Sequence, residues 1–451
     1  MKKRVVILGS GESGTGAALL AASKGYDVFV SDQSTIKEKY KQDLTAANIV
    51  FEEGGHSPDE ILNADLIIKS PGIPDKAEII KKSKAKHIAI IDEIEFAFRF
   101  CEGRKVIAIT GTNGKTTTTL LTYHLMKEAG MNVALAGNVG FSMARQVVEN
   151  KFDWYVLEMS SFQIDGIDTF KPEIAVLLNI TPDHLDRYEY NMQNYVNSKF
   201  NLVKNMSTQE DFIFFNDDPV IERELESRPI VPVKYSVSLG KHHDAIAKFD
   251  GEKMIFDVAE SFAIRQDETT LKGPHNLINT MAAVIAAYRA GVSVEAIRKG
   301  LKTFKNAPHR LEPVGIINGV EFVNDSKATN VDSVVYALGS YERPLVWIAG
   351  GVDKGNDYAL ISEQVKQKVK ALICLGKENQ KLFAAFGEIV PVVKETQSVK
   401  DLVRMSLSLA SKGDVVLLSP ACASFDLFRN YEDRGNQFRE AVQELKKEIE
   451  G

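Results

Sequence analysis

Val106-Ile107-Ala108-Ile109-Thr110-Gly111-Thr112-Asn113-Gly114-Lys115-Thr116 sets a short apolar run directly before a glycine loop ending in Lys-Thr. The run over 106–109 reads as a buried strand, and the residues after the loop read as a helix to about 129. Strand, glycine loop and helix in that order form a phosphate-binding unit of an α/β fold. Gly111 and Gly114 let backbone N–H groups turn inward as an anion nest. Lys115 offers a point charge to β- and γ-phosphates, and the hydroxyl of Thr116 or Thr117 suits Mg²⁺. The strict pattern has a glycine five residues before Gly114, where Ile109 stands, so this is a shortened loop. A solvated glycine turn would leave Lys115 and the successive threonines 116–119 unexplained. The expected ligand is ATP.

Working outward from that loop, apolar runs over 5–8, 28–31, 49–51, 66–68 and 87–91 alternate with helical stretches, a doubly wound parallel pattern. A second unit adds runs over 155–157, 174–178 and 212–215, then an alternating, more polar stretch over 234–271 that suggests antiparallel strands. A third adds runs over 320–323, 345–348, 371–375 and 415–418, and ends in a charged helix over 436–448. The expectation is an α/β chain of three domains. These are a Rossmann-like domain over 1–94, a P-loop-type mononucleotide-binding domain over 95–301 and a second Rossmann-like domain over 302–451. The length, 451 residues, agrees with about three domains at roughly 150 residues each.

A composition of 44% hydrophobic and 26% charged residues excludes wholesale disorder. The net charge of −6 provides no global field for nucleic acid or anionic membrane, so a polyanion must be held by local groups. The cysteines, Cys101, Cys374 and Cys422, form neither a disulfide framework nor a metal-spacing motif and fit the reducing cytoplasm. The basic start and the run over 5–8 are too short for a signal peptide, and no run approaches the ~18 apolar residues of a membrane span.

Other motifs fall at strand ends. Gly9-Ser10-Gly11-Glu12-Ser13-Gly14 follows a strand, with Asp32 about 20 residues on, the dinucleotide-fold pattern. Alone it would suit NAD, any nucleotide diphosphate, or a turn without ligand. Glu158 and the run Asp183-His184-Leu185-Asp186-Arg187 follow further strands. Glu158 suits Mg²⁺, and His184 is either a second metal position or a structural histidine. Asn276 and Asn279 share a helix face and read either as base or ribose contacts or as a cap. Arg310 reads as a phosphate contact or a surface ion pair. Asp325 and Lys327, Gly350 to Lys354, and Ser419 to Ser424 lie in polar loops after three strands, as a substrate site would. Cys422 reads as packing rather than as a nucleophile.

Taken together, these motifs resemble the Mur ligase family across the whole chain. They run, in order, from Gly111-Thr112-Asn113-Gly114-Lys115-Thr116 through Glu158-Met159-Ser160-Ser161-Phe162-Gln163, Asp183-His184-Leu185-Asp186-Arg187-Tyr188, His275-Asn276-Leu277-Ile278-Asn279 and His309-Arg310-Leu311-Glu312 to Asp325-Ser326-Lys327-Ala328-Thr329-Asn330. The ending Ser419-Pro420-Ala421-Cys422-Ala423-Ser424-Phe425-Asp426, with Tyr431 and Arg434, is the most specific part.

The resemblance implies a monomeric cytoplasmic ligase of peptidoglycan synthesis that joins D-glutamate to UDP-N-acetylmuramoyl-L-alanine at the expense of ATP, through an acyl phosphate. It assigns Glu12, Ser13, Asp32, Gln33, Ser70, Pro71, Gly72, Asn138, Gln163 and His184 to the UDP substrate. To ATP it assigns Gly111, Thr112, Asn113, Gly114, Lys115, Thr116, Thr117, Asn276, Asn279, Arg310, Asp325 and Lys327. Thr329, Lys354, Ser424, Phe425 and Tyr431 fall to D-glutamate. Lys115, His184 and Lys199 carry catalytic roles. Thr116 and Glu158 hold one Mg²⁺, and His184 with a carbamylated Lys199 a second. From the residues alone Lys199 reads as an ordinary solvated lysine. Glu12 departs from what a diphosphate turn wants, since its charge repels the ligand, so its carboxylate is expected to turn away. An NAD oxidoreductase leaves the Lys115 loop unexplained, a folylpolyglutamate synthase lacks the first domain, and a non-catalytic regulator leaves Glu158, His184 and Lys199 idle.

Overall fold

A computed structural model describes residues 2–451. The chain divides into two compact units, one of residues 1–270 and 277–304 and one of residues 271–276 and 305–451. The first unit holds two sheets. In the first sheet, β1 (Arg4–Leu8), β2 (Asp27–Asp32), β3 (Val50–Glu53), β4 (Leu66–Lys69) and β5 (Ala89–Ile91) lie parallel in the order 3-2-1-4-5. Both faces are covered, which is why these strands read as continuous apolar runs.

The second sheet has the order 14-13-12-11-10-9-6-8-7. It comprises β6 (Lys105–Thr110), β7 (Val133–Gly137), β8 (Trp154–Glu158), β9 (Ile174–Leu177), β10 (Asp211–Phe215), β11 (Val233–Ser238), β12 (Ala247–Phe249), β13 (Lys253–Phe256) and β14 (Phe262–Arg265). Strand β6 lies between β8 and β9, so the glycine loop leaves the middle of the parallel part. One sequence expectation needs correction. The stretch over 234–271 is antiparallel only at β12–β13 and β13–β14, whereas β10–β11 and β11–β12 are parallel. A half-exposed parallel strand such as β11 alternates in sequence as an antiparallel one does. Strand β7 was missed because Ala134, Ala136 and Gly137 dilute its apolar signal.

The second unit holds β15 (Glu312–Ile317), β16 (Val320–Asn324), β17 (Leu345–Ala349), β18 (Val369–Leu375), β19 (Val393–Thr396) and β20 (Val415–Leu418) in the order 15-16-20-17-18-19. All pairs are parallel except β15–β16. The last helix, Tyr431–Glu450, begins earlier than its charge pattern suggested, because Asn430 caps it by accepting from Asp433 N. No helix among the described residues is long and apolar enough to cross a membrane.

Within the first unit, helix Glu93–Phe98 joins the two sheets and buries acid. Glu93 is 1% exposed, and its Oε1 accepts from Ala144 N. Burial first, and then the neighbouring Asp92, pushes Glu93 up to about 8. A carboxyl raised in the folded state stabilises fully below its ordinary value and loses that contribution as pH rises through the raised one. Thermal stability should therefore fall between pH 5 and pH 9, and Glu93→Gln should flatten that decline, as melting curves across the range would record. Parallel profiles for the two proteins would refute the assignment.

Candidate functional site

The first sheet ends in a cavity of about 690 Å³ lined by Gly9, Gly11, Asp32, Gln33, His56, Ser70 and Gly72, among others. All lie just beyond the C-terminal ends of β1 to β4, where ligands of open α/β sheets gather. Gly9 has φ 89°, and a Cβ there would stand 2.5 Å from Ser70 Oγ, so only glycine allows the two strand ends to approach. Asp32 Oδ2 accepts from Ser10 N and Ser10 Oγ, both at 2.7 Å, and Oδ1 from Ser34 N at 2.8 Å. Partial burial opposes its ionisation, but these bonds outweigh it and hold Asp32 below the usual value. Asp32, Gln33, Ser70 and Gly72 were expected here. Gly55 and His56, at the end of β3, were not, because no motif marks them.

Glu12 faces elsewhere. Its Oε1 accepts from Arg145 Nε at 2.9 Å and Ser142 N at 3.2 Å, so its charge is met by the helix Met143–Glu149. Gln163 also serves its own helix, its Oε1 accepting from Ser160 N and Oγ at 3.0 Å. Pro71 and Gly72 are tied by their carbonyls to Arg187, whose guanidinium lies 4.4 Å from the Phe162 ring centre.

The loop after β6 is held rigidly. Asn113 N donates to Asn179 Oδ1 at 2.8 Å, and Thr112 N to Asn179 O at 2.9 Å. Asn179 was overlooked because it follows a strand in the sequence with no motif of its own. Lys115 Nζ donates to Gly111 O and Thr112 O, both at 2.8 Å, so the ammonium folds back over the loop. Gly114 has φ 84°, and a Cβ there would stand 2.3 Å from Asn279 Oδ1. Gly114→Ala should cost about 1–2 kcal/mol from the left-handed conformation alone, besides displacing Asn279. Denaturant unfolding would measure it, and an unchanged midpoint would show that the loop relaxes freely.

Strands β8 and β9 flank β6 and carry Glu158 and the Asp183–His184 run to either side of the loop. Glu158 is 2% exposed; its Oε1 accepts from Asn138 Nδ2 at 2.7 Å, and its Oε2 is buried with no hydrogen-bond partner among the described residues. A buried carboxylate oxygen left in that state is costly unless a cation or donor completes it. His184 is exposed, with φ 53°, its ring 5.1 Å from that of Phe162. No group of three His, Cys, Asp or Glu side chains that could hold a metal exists among the described residues. Mg²⁺ here would need hydroxyl and phosphate oxygens as well, which is how this ion is usually held.

Lys199 is not the solvated lysine its sequence setting suggested. It is 1% exposed, and its Nζ donates to Gly111 O at 2.9 Å, the same carbonyl that Lys115 reaches. Burial, and then the like charge of Lys115, lowers its basicity well below an ordinary lysine's.

In the second unit β16, β20 and β17 are neighbours, so their three polar loops meet. Asp325 Oδ2 accepts from Ser419 Oγ at 2.9 Å, and Val352 and Ala423 exchange backbone bonds at 2.8 and 3.1 Å. Burial pushes Asp325 up to about 7 despite its bonds from Ser419 and Leu311. Lys327 Nζ stands 5.0 Å from the Tyr431 ring centre. Ser424 is buried and Phe425 is 70% exposed. Cys422 is buried with its thiol pushed up by burial, which fits packing and not attack.

Sequence reasoning gave Arg434 no role, yet it binds all three loops together. Its guanidinium donates to Ser326 Oγ and O, Gly350 O and Cys422 O. Arg434→Met leaves those buried acceptors unmet at about 1–3 kcal/mol each. The variant should therefore unfold at lower denaturant. Wild-type stability would contradict the stapling role.

Comparison with known proteins bears on this geometry. Residues 4–79 match the MurD N-terminal domain, 109–287 the Mur ligase middle domain, and 309–422 the Mur ligase, glutamate ligase domain. The chain is 52% identical to the UDP-N-acetylmuramoylalanine–D-glutamate ligase of Cytophaga hutchinsonii, over 99% of this chain and all of that one. It is 51% identical to the enzyme of the same name from Bacteroides fragilis, over 98% of this chain and all of that one. Among solved structures, a pseudomurein peptide ligase type C from Methanothermus fervidus aligns with a TM-score of 0.63 at 20% identity, covering 99% of this chain and 100% of that one. UDP-N-acetylmuramate–alanine ligase MurC from Thermotoga maritima aligns at 0.62 and 16%, with the same coverage.

Proposed function

The chain belongs to the Mur ligase family, and from that premise we propose the reaction and the residues that perform it. The protein is an ATP-dependent ligase that joins D-glutamate to UDP-N-acetylmuramoyl-L-alanine in peptidoglycan precursor synthesis. The observation that carries the reading is the pairing of two separate phosphate-type sites in one unit, the cavity at Gly9–Gly11 and the loop at Gly111–Lys115. A generic ATPase needs only the second.

A free carboxylate is a poor acyl donor, so it must be activated. The substrate carboxylate attacks the ATP γ-phosphorus and ADP leaves. The D-glutamate amine then adds to the acyl phosphate carbonyl, and inorganic phosphate departs as the amide forms. No protein nucleophile is required. The protein's work is positioning and charge neutralisation. Lys115 faces the γ-phosphate, and the Gly111–Gly114 backbone cradles the chain. Thr116 and Glu158 would hold Mg²⁺, which fits the unpartnered Oε2 of Glu158. His184 and a carbamylated Lys199 would hold a second ion. Bound Mg²⁺ supplies charge neutralisation on the phosphate oxygens.

Lys199 is suited to carbamylation because burial, and then the charge of Lys115, lowers its basicity and favours the free amine. R–NH₂ adds to CO₂, giving R–NH–COO⁻ and releasing one proton, and the new anion would face Lys115. The UDP group is assigned to Ser13, Asp32, Gln33, Ser70, Pro71 and Gly72, with the backbone of Glu12. Asn138, Gln163 and His184 fall to the sugar and lactyl end. Asn276, Asn279, Arg310, Asp325 and Lys327 are assigned to ATP, and Thr329, Lys354, Ser424, Phe425 and Tyr431 to D-glutamate. Phosphate release from ATP is the test. It should require UDP-N-acetylmuramoyl-L-alanine and D-glutamate together, with L-alanine and a diamino acid as controls. Release without an amino acid, or with a control alone, would overturn the reading.

A further inference from the structure

A hydrogen-bond relay that no motif announces ends at the cavity of the first sheet, where His56 lines the wall. Ser31, the penultimate residue of β2, is fully buried. Its Oγ stands 2.6 Å from Glu52 Oε1 and 2.6 Å from His56 Nδ1. Serine has one proton to give. At 2.6 Å from an ionised carboxylate that proton must point to Glu52, since two oxygens at this distance without one would repel. Glu52 Oε1 also accepts from Ser57 N at 2.8 Å, which favours the anion further. Gly55 O, at 3.4 Å, competes poorly for the same proton. His56 must then donate from Nδ1 to Ser31 Oγ. The neutral ring is fixed as the Nδ1–H tautomer, and Nε2 keeps its lone pair. Among the described residues nothing pairs with Nε2, and the ring lines the cavity.

Position in the sheet says what this acceptor meets. The glycine turn follows β1, Asp32 ends β2, and His56 follows β3, and the order 3-2-1 lays them side by side. Two strand spacings cover roughly 10 Å, the reach from a diphosphate across a ribose to its base. If phosphate lies on the turn and ribose at Asp32, the base lies at His56.

We propose that His56 selects the nucleobase, its Nε2 accepting the N3–H of uracil, with Ser31 and Glu52 as positioning residues that hold the tautomer. Cytosine carries a lone pair at N3 and sets acceptor against acceptor, so cytidine nucleotides are rejected. This rests on the reading of the cavity as a nucleoside diphosphate site.

Calorimetric titration of the full chain with UDP and with CDP tests it. The wild type should prefer UDP by about tenfold or more, the loss of one hydrogen bond in a half-exposed setting. His56→Phe keeps a ring without an acceptor and should bind the two alike. His56→Gln restores an acceptor and should recover part of the preference. Long-range ¹H–¹⁵N correlation spectra of the wild type should show His56 protonated at Nδ1, and Ser31→Ala should mix the tautomers. Equal binding of UDP and CDP by the wild type, a preference retained in His56→Phe, or protonation at Nε2 would each overturn the role of His56 while leaving the cavity a nucleotide site. Failure of the wild type to bind either nucleotide would instead overturn the cavity reading itself.

Discussion

Lys115→Ala abolishes ATP-dependent ligation and leaves the protein folded. Lys115 Nζ is folded over the loop onto Gly111 O and Thr112 O. No other cation is placed by β6 and its loop in that position, so alanine leaves the γ-phosphate charge unmet as the phosphoryl group transfers. Removing one preorganised electrostatic contact of this kind lowers kcat about 10²–10³-fold, and a full charge facing phosphate belongs at or above the upper end. The fold survives because the loop has other supports, namely Asn179 on Thr112 and Asn113, and the left-handed turn at Gly114. Phosphate release measured beside circular dichroism separates the two effects. A variant with near wild-type turnover would remove the loop from the reaction.

Lys199→Ala has the second-largest effect, and its pattern differs. Activity should drop by roughly 10²-fold, the scale of losing a supporting group at a metal site, and half-saturation by Mg²⁺ should move to higher concentration. Lys199 lies wholly inside the unit and shares Gly111 O with Lys115. Burial, and then the charge of Lys115, disfavours an ammonium at Lys199. Conversion of Lys199 to an anionic carbamate places opposite charges side by side. Wild-type activity should therefore fall in buffer stripped of CO₂ and return with bicarbonate, while Lys199→Ala ignores both. A variant with unchanged Mg²⁺ dependence, or a wild type indifferent to bicarbonate, would argue against the carbamate.

Much of this molecule is legible in one dimension. Apolar runs and glycine turns mark the α/β class, because strands covered on both faces have no polar alternation and phosphate-type turns need glycine. The loop over 110–116 announces itself because its parts are consecutive, and so does the turn over 9–14. What the sequence hid are relations between distant residues. Lys199 read as a surface lysine because its helix, Met192–Phe200, is mixed in character, and only folding against the loop after β6 shows it buried. Arg434 sits about 110 residues from Ser326 in the chain, so its stapling of three loops has no local trace. Asn179, Arg145 and the Ser31–Glu52–His56 relay are equally silent. Each is a hydrogen bond between residues 20 or more positions apart, and such bonds are chosen by the order of strands in a sheet. The sequence by itself determined which local units form and which chemistry each loop can offer. Tertiary structure alone decided which carboxylate is left unpartnered, which lysine is desolvated and which tautomer a histidine holds. Those properties depend on burial and on neighbours brought in from elsewhere in the chain.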